Sequence, residues 1–200
     1  MNAQTHAQRY LTGLKTVLDR LPLDVIEQIA TALEKARAER RQIFIIGNGG
    51  SAATASHMMN DLNKGTLGHK GDAPWGRFRV LALTDNVSLM TAWANDTDYN
   101  HIFSEPLKNL ANPGDLLICI SASGNSPNIL AACDVAKQLG LKIIGLTGFT
   151  GGKLAAVSDI ALVVPSHDYG PVEDVHMILD HILTSYLYET LKTSHQEIQR

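Results

Sequence analysis

The sequence predicts a three-layer, doubly wound α/β sandwich, in which helices cover both faces of a five-stranded parallel sheet and two N-terminal helices precede it. Three observations lead to this fold class: apolar runs of strand length alternate with helical patterns, the runs are continuously apolar, and no linker divides the 200 residues. Such strands are typical of parallel sheets buried on both faces. We therefore expect one domain over residues 1–200, with a helical pair over 1–40 and an α/β core over 41–200.

The first forty residues predict two amphipathic helices, which Pro22 separates. Apolar residues recur at helical spacing over Thr5 to about Arg20 and over Leu23 to about Arg40. Their apolar faces could simply cover the sheet of the same chain, but two amphipathic helices ahead of a complete α/β unit favour a partner helix. We therefore expect this pair to mediate oligomerisation.

Five apolar runs of strand length predict the sheet, and helical patterns lie between them. The strand runs are Gln42–Ile46, Arg79–Leu83, Leu116–Ile120, Lys142–Leu146 and Ile160–Val164, and the helical patterns include Ala52–Leu62, Asn86–Ala94 and Ile129–Leu139. Glycines and Pro74 break both patterns between Asn63 and Arg79, where we expect a surface loop. A lid over the ligand and a plain connector are both compatible with this loop.

The composition excludes two classes of partner. A formal net charge of −3 with 44% apolar residues leaves no basic stripe of the kind that nucleic-acid binding requires. No segment approaches the roughly 20 apolar residues that span a bilayer, and Met1 to Tyr10 has no apolar run behind a basic region. We expect a cytoplasmic protein that binds neither nucleic acid directly nor a membrane. Cys119 and Cys133 lie in apolar patterns without CxxC spacing, so buried reduced thiols are expected.

Two short loops rich in glycine, asparagine and serine, Gly47–Ser51 and Ser121–Ser126, each stand between a strand pattern and a helical pattern. Glycine allows a tight turn, serine provides hydroxyl donors, and the following helix presents unpaired N–H groups to an anion. A dinucleotide fingerprint is weak, because Ala52 stands where its third glycine belongs, and the nucleoside triphosphate loop sequence is missing. Turn and capping chemistry explains either loop alone, but the pair favours a phosphorylated ligand. The second loop is the better phosphate candidate, because its three serines can converge their hydroxyl groups.

Histidine and carboxylate side chains form a candidate metal site. His57 and Asp61 share one helical face after the first loop, since they are four residues apart. The last predicted helix adds Glu173, His176, Asp180 and His181. Imidazole and carboxylate groups from two helices could bind a divalent ion such as zinc, although a local hydrogen bond or a solvated face is the commoner role of such a pair. Helical spacing does not choose between His176 and His181.

The combined motifs resemble the SIS (sugar isomerase) domain family over nearly the whole chain, and within it the bacterial phosphoheptose isomerases. The motifs are the two glycine loops, His57, Asn95-Asp96 before His101-Ile102-Phe103, Leu146-Thr147-Gly148, and Glu173-Asp174-Val175-His176 with His181. The resemblance implies a single SIS domain that converts sedoheptulose 7-phosphate to a heptose 7-phosphate for surface-polysaccharide precursors, such as those of lipopolysaccharide or capsule. It also implies a homotetramer whose sites lie between subunits and hold zinc.

The functional residues of the family map onto this chain by position. The implied metal ligands are His57, Asp61, Glu173 and His181, and the implied acid–base pair is Asp61 and His181. The implied phosphate-binding residues are Ser121, Ser123 and Ser126, and those implied to contact the rest of the substrate are Asn48, Gly49, Ser51, Asn95, Asp96 and Glu173. An aldose–ketose isomerase moves a proton between adjacent carbons through an enediol, which needs such an acid and base.

Departures from the family pattern bear on the metal and the substrate. The family usually has glutamate at Asp61, glutamine at Glu173 and threonine at Ala122, and the 63–79 loop is longer than usual and lacks a Gly-Arg-Tyr segment. Because Asp61 must then serve as both ligand and base, we expect a loosely held metal that shifts as substrate binds. An isomerase of another ketose phosphate stays an alternative. A second alternative is a non-catalytic phosphosugar-binding regulator or scaffold of the type that binds the replication initiator. The presence of both Asp61 and His181 favours the enzyme over this alternative.

Overall fold

A five-stranded, wholly parallel sheet forms the centre of the structure, as the sequence predicts. The structure is a computed structural model, and it describes residues 2–68 and 71–198. The strands are β1 (Gln42–Gly47), β2 (Arg79–Ala82), β3 (Leu116–Ile120), β4 (Lys142–Thr147) and β5 (Ile160–Val163), in the spatial order β2-β1-β3-β4-β5. Each strand ends within one residue of its predicted end.

Helices cover both faces of the sheet and make it the middle of three layers. They are α1 (Ala3–Leu18), α2 (Leu23–Ala38), α3 (Gly50–Asn60), α4 (Val87–Asp96), α5 (Ser104–Leu110), α6 (Pro127–Leu139), α7 (Gly152–Val157) and α8 (Tyr169–Ile198). A π-helical turn, Asp61–Gly65, extends α3. The sequence did not predict α5 and α7, because one or two turns are too short to show a helical period. Within the described part of the chain, no helix is long and apolar enough to cross a membrane.

Two apolar cores hold the layers together. Helices α2, α3 and α8 pack on one face of the sheet with Ile43 of β1, and α5, α6 and α7 pack on the other face with Phe44. Successive strand residues point to opposite faces, so a strand covered on both sides is apolar throughout. Cys119 and Cys133 are buried and free in the second core, with their sulfur atoms 3.6 Å apart, as expected.

The two N-terminal helices have different environments. Helix α2 buries six residues, among them Ile29 and Leu33, in the core that it shares with the sheet, and its part in oligomerisation stays a prediction. Helix α1 buries none of its residues in the described chain and leaves Leu11 60% exposed. It is tied to α8 by the Tyr10 hydroxyl, which donates to Asp174 Oδ2 at 2.6 Å. This hydrogen bond, together with burial, raises the pKa of Tyr10 to about 12.

The described part of the 63–79 loop is fastened to α2 and the far half of α8. The Trp75 indole donates to the carbonyl of Thr66 at 3.1 Å, and its ring packs edge-on against Tyr188 at 6.2 Å. The Arg37 guanidinium of α2 donates to the carbonyl of Trp75. These contacts fit a connector that braces two helices rather than a lid; His69 and Lys70 lie outside the described residues.

Candidate active site and metal centre

Both glycine loops lie at the carboxyl edge of the sheet, where parallel sheets collect their ligands. The first loop follows β1, and α3 begins at Gly50. A Cβ atom at Gly47 would lie 2.5 Å from the carbonyl oxygen of Ser51, and Gly49 has a φ of +54°. Both positions therefore need glycine. The tight turn directs α3 away from the sheet edge and buries Ser51 in its first turn.

The second loop brings serine hydroxyl groups to the start of a long helix. Ser121 Oγ and Ser126 Oγ are 3.3 Å apart, whereas Ser123 Oγ accepts a hydrogen bond from the N–H of Asn125 at 3.3 Å. Ser126 directly precedes α6 and, in the described structure, makes no capping hydrogen bond with its side chain. Pro127 has no N–H and the Ile129 N–H donates to Asn128 Oδ1 at 3.0 Å, so among the described residues the first turn of α6 leaves the Asn128 N–H available to an anion. This arrangement supports the phosphate prediction for Ser121 and Ser126.

A pair of asparagine amides joins the two loops. Asn48 Nδ2 donates to Asn128 Oδ1 at 2.9 Å, and Asn128 Nδ2 donates back to Asn48 Oδ1 at 2.8 Å. Asn128 is 2% exposed, and the hydroxyl of Tyr99 donates to the same Asn48 oxygen at 3.2 Å. Sequence analysis missed Asn128 and Tyr99. Both are ordinary polar residues in sequence, and only the tertiary fold brings them to the first loop.

Four side chains from α3, its π-helical extension and α8 converge about two helical turns from the first loop, since His57 is seven residues beyond Gly50. His57 lies in the last turn of α3, Asp61 begins the π-helical turn, and Asp180 and His181 lie on α8; one ligand atom from each lies within 4.8 Å of the other three. The two Nε2 atoms are 3.3 Å apart, and Asp61 Oδ2 is 3.4 Å from Nε2 of His57 and 3.9 Å from Nε2 of His181. Zinc bonds of about 2.1 Å separate tetrahedral ligands by about 3.4 Å. The spacing and the donor types therefore suit a divalent ion.

Asp180 is the buried carboxylate of this group. Its side chain is 0% exposed, its Oδ2 is 4.0 Å from His57 Nε2, and among the described residues this oxygen has no hydrogen-bond partner. Burial and the charge of Asp61 raise the pKa of Asp180 to about 6. The folded state then holds this proton more tightly than the unfolded chain does. Asp180 therefore lowers the stability of the metal-free protein as pH rises from about 4 to about 6.

Three residues that the sequence assigns to the site lie apart from this group. The Glu173 carboxylate lies against Gly50, where a Cβ atom would be 3.1 Å from its Oε2, and Glu173 is not among the four converging side chains. Asn95 and Asp96 are exposed at the end of α4, where the Asn95 amide donates to Asp96 at 2.8 Å. Their roles at the substrate stay predictions, as does the metal role of Glu173.

The structure shows which of His176 and His181 belongs to the converging group, a choice that helical spacing left open. His181 faces His57, whereas His176 is completely buried, with its Nε2 3.3 Å from the carbonyl oxygen of Thr147 in β4. Five residues rotate the helix by about 140° beyond one full turn, so the two rings point to different faces. Burial lowers the pKa of His176 to about 4. The imidazole is therefore neutral at physiological pH and links α8 to the end of β4.

We expect His176 to make the protein less stable in acid. The unfolded chain takes up the proton near pH 6.5, but the folded chain does so only near pH 4. The free energy of unfolding should therefore fall through this interval by up to about 3 kcal/mol on account of His176. Urea unfolding of the wild type and of His176→Gln at about pH 7 and about pH 4.5 measures the effect. Asp180 titrates in both proteins, so the difference isolates His176, and equal pH dependence would contradict the assignment.

Comparisons with known proteins agree with this geometry. The profile of the SIS domain family matches residues 9–148. The phosphoheptose isomerase of Aneurinibacillus thermoaerophilus is 35% identical over 94% of this chain and 93% of its own length, and that of Aliarcobacter butzleri is 40% identical over 80% and 85%. The structure of phosphoheptose isomerase GmhA from Neisseria gonorrhoeae superposes with a TM-score of 0.84 at 28% identity, covering 93% of this chain and 98% of that one. The chain thus belongs to the SIS domain family, among the phosphoheptose isomerases.

Proposed function

We propose that the protein is an aldose–ketose isomerase that converts sedoheptulose 7-phosphate to a heptose 7-phosphate. The observations that carry the proposal are a serine-lined helix N-terminus at the carboxyl edge of the sheet and a converging His–Asp group on α3, its π-helical extension and α8 of the same chain. The first feature suits a phosphate, and the second suits proton transfer. The relatives named phosphoheptose isomerase support the choice of substrate.

The reaction moves a proton between two adjacent carbons of the sugar. Asp61 is 21% exposed in its side chain and takes the proton from the carbon beside the carbonyl group. His181, with a side chain 57% exposed, gives a proton to the carbonyl oxygen to form the enediol. Asp61 then returns its proton to the former carbonyl carbon, while the hydroxyl group on the first carbon gives its proton back to His181 and becomes the aldehyde. Asp180 has no exposed side-chain surface, so it is not the group that meets the substrate.

The serine loop fixes the far end of the substrate. Ser121 and Ser126 bind the phosphate together with the N–H of Asn128 at the start of α6, and this anchoring holds the reacting carbons near Asp61. The Asn48–Asn128 amide pair keeps the sugar-facing loop in register with the phosphate loop. Displacement of either loop would therefore misplace the substrate relative to the base.

Zinc is the proposed cofactor, and the family resemblance gives His57, Asp61, Glu173 and His181 as its ligands, of which His57, Asp61 and His181 converge. When bound, it would polarise the substrate oxygens as a Lewis acid. Two imidazoles and carboxylate oxygen are ligands that zinc commonly takes in proteins. The distance of 3.3 Å between the two Nε2 atoms supports the proposal, because it is close to the separation of two ligand atoms on one tetrahedral zinc ion.

The same proposal includes a cytoplasmic homotetramer with sites between subunits, in a route to surface-polysaccharide precursors. The exposed apolar side chain of Leu11 on α1 supports an interface between copies of the chain. Asn95 and Asp96, which lie exposed on α4, would then contribute to a site that the neighbouring chain completes.

The function is tested by incubating the purified protein with sedoheptulose 7-phosphate, with added zinc and with chelator. We expect interconversion of ketose and aldose phosphates that zinc supports and chelator removes. Other ketose phosphates, tested in parallel by NMR of the sugar carbons, identify the preferred substrate. If none of them is interconverted with metal supplied, the isomerase proposal is wrong, and binding of the same phosphosugars without turnover would then identify a regulator or scaffold.

A further inference from the structure

We propose that Asp180 is a metal ligand of this chain and holds the ion, so that Asp61 is left to transfer the proton. The inference rests on the proposed function, because the isomerase requires both a metal ligand and a base. It assigns these two roles to two different carboxylates. Asp61 lies at the exposed side of the group, whereas Asp180 has no exposed side-chain surface. A ligand benefits from being fixed and buried, whereas a base must reach the substrate.

The orientation of the Asp180 carboxylate supports this role. The Thr184 hydroxyl, one turn further along α8, lies 3.4 Å from Asp180 Oδ1 and orients one oxygen. The other oxygen, Oδ2, points toward His57 and, among the described residues, has no hydrogen-bond partner. A buried carboxylate oxygen without a partner is costly, because it loses its hydration without compensation. A cation between Oδ2 and the two imidazoles compensates this loss.

The charge of the group also fits a divalent ion. Asp61 and Asp180 contribute two negative charges, and His57 and His181 bind a metal as neutral imidazoles. The assembled site is therefore neutral with an ion such as Zn²⁺. Neutrality matters most for Asp180, the buried carboxylate of the group, because an uncompensated charge there would carry a desolvation cost.

The alternative carboxylate, Glu173, lies elsewhere along the same pair of helices. It contacts Gly50 at the start of α3, whereas Asp180 approaches His57, seven residues further along α3. Glu173 and Asp180 are also seven residues apart on α8. Seven helical residues rise by about 10 Å, so Glu173 lies about two turns from the converging side chains on both helices. The position of Glu173 suits contact with the substrate near the first glycine loop.

Zinc affinity distinguishes these two carboxylates. Competition with a chromophoric chelator should show affinity at least about 10-fold weaker for Asp180→Asn than for the wild type, and Asp180→Leu should be weaker still. Glu173→Ala removes the other carboxylate of the same helix, together with any ligand oxygen there, and should keep the affinity within about 2-fold. The visible spectrum of bound Co²⁺ should change in the Asp180→Asn variant and stay unchanged in Glu173→Ala.

Thermal unfolding of the metal-free proteins controls for a merely structural role. Metal-free Asp180→Leu should unfold at a temperature equal to or above that of the wild type, because it removes a buried carboxylate without a partner. Added zinc should raise its Tm less than it raises that of the wild type. A lower Tm without metal, together with an unchanged shift on adding zinc, would show that Asp180 supports the fold and is not a ligand.

The outcomes separate this inference from the proposed function. If Asp180→Asn keeps wild-type zinc affinity and the wild-type Co²⁺ spectrum, or if the wild type binds neither ion, the assignment of Asp180 is wrong even where sedoheptulose 7-phosphate is interconverted. If zinc affinity depends on Asp180 but no ketose phosphate is interconverted, the ligand assignment stands and the isomerase proposal fails.

Discussion

Replacing Asp61 with asparagine is expected to lower turnover of sedoheptulose 7-phosphate by about 10³-fold at saturating zinc, within the ~10²–10⁴-fold contribution that general bases make. Asparagine keeps the shape of the side chain but cannot accept the proton. In D₂O the wild type should exchange hydrogen at the reacting carbon of the substrate, and Asp61→Asn should lose this exchange. Exchange reports proton removal directly, so it separates the base from any effect of Asp61 on metal binding.

Two further variants test whether the effect is specific to the loss of a base at position 61. Asp24→Asn makes the same charge change in the exposed first turn of α2 and should leave turnover and exchange unchanged. Asp61→Glu retains a base one methylene longer, the residue that the family usually has, and should keep turnover within about 10-fold of the wild type. Normal exchange by metal-saturated Asp61→Asn would show that another group removes the proton.

The architecture was predictable because its signal is local. Buried parallel strands are apolar at every position, as Ile43 and Phe44 show by facing opposite cores of the same sheet. The glycine loops were predictable for a similar reason, since Gly49 and Gly124 adopt φ values of +54° and +64° that other residues rarely take. Short helices such as α5 and α7 give too few turns for a period to appear.

The detailed site was less predictable. Helical spacing shows which residues share one face of a helix, but it does not show which residues of another helix they contact. Glu173 and Asp180 are seven residues apart, so they lie on nearly the same face of α8. Only the alignment of α8 with α3 decides that Asp180, rather than Glu173, meets His57. The choice between His176 and His181 likewise depends on which face of α8 packs against the sheet.

The links between the loops also depend on tertiary structure. Asn48 and Asn128 are eighty residues apart in sequence, and the local sequence around each predicts only a turn or capping residue. Their amide pair forms only because neighbouring strands β1 and β3 end side by side. The two loops are therefore one structural unit, and a substitution that displaces one loop should also displace the other.

The phosphate loop should be the most sensitive backbone segment to substitution, and Gly124→Ala tests this. Gly124 has a φ of +64°, and a Cβ atom there would overlap the carbonyl group of Gly151 at the start of α7. Both conflicts involve backbone atoms, which cannot rotate away. We expect the free energy of unfolding to fall by about 2–4 kcal/mol, from left-handed strain and overpacking together. The carbonyl of Gly124 also accepts the N–H of Leu154 at 2.9 Å, so the strain should displace the whole loop.

Gly124→Ala should therefore raise KM for the phosphorylated substrate by at least about 10-fold in the protein that stays folded, because Ser121 and Ser126 lose their relative position. Gly13→Ala is the matched control, since Gly13 lies in α1 with no heavy atom within 4 Å of an added Cβ. That variant should gain up to about 1 kcal/mol in stability and leave KM unchanged, because alanine is the better helix former. Urea unfolding and steady-state kinetics measure both effects. Wild-type stability and KM in Gly124→Ala would mean that neighbouring backbone yields readily, and that the loop is not the rigid phosphate anchor that its contacts with α7 indicate.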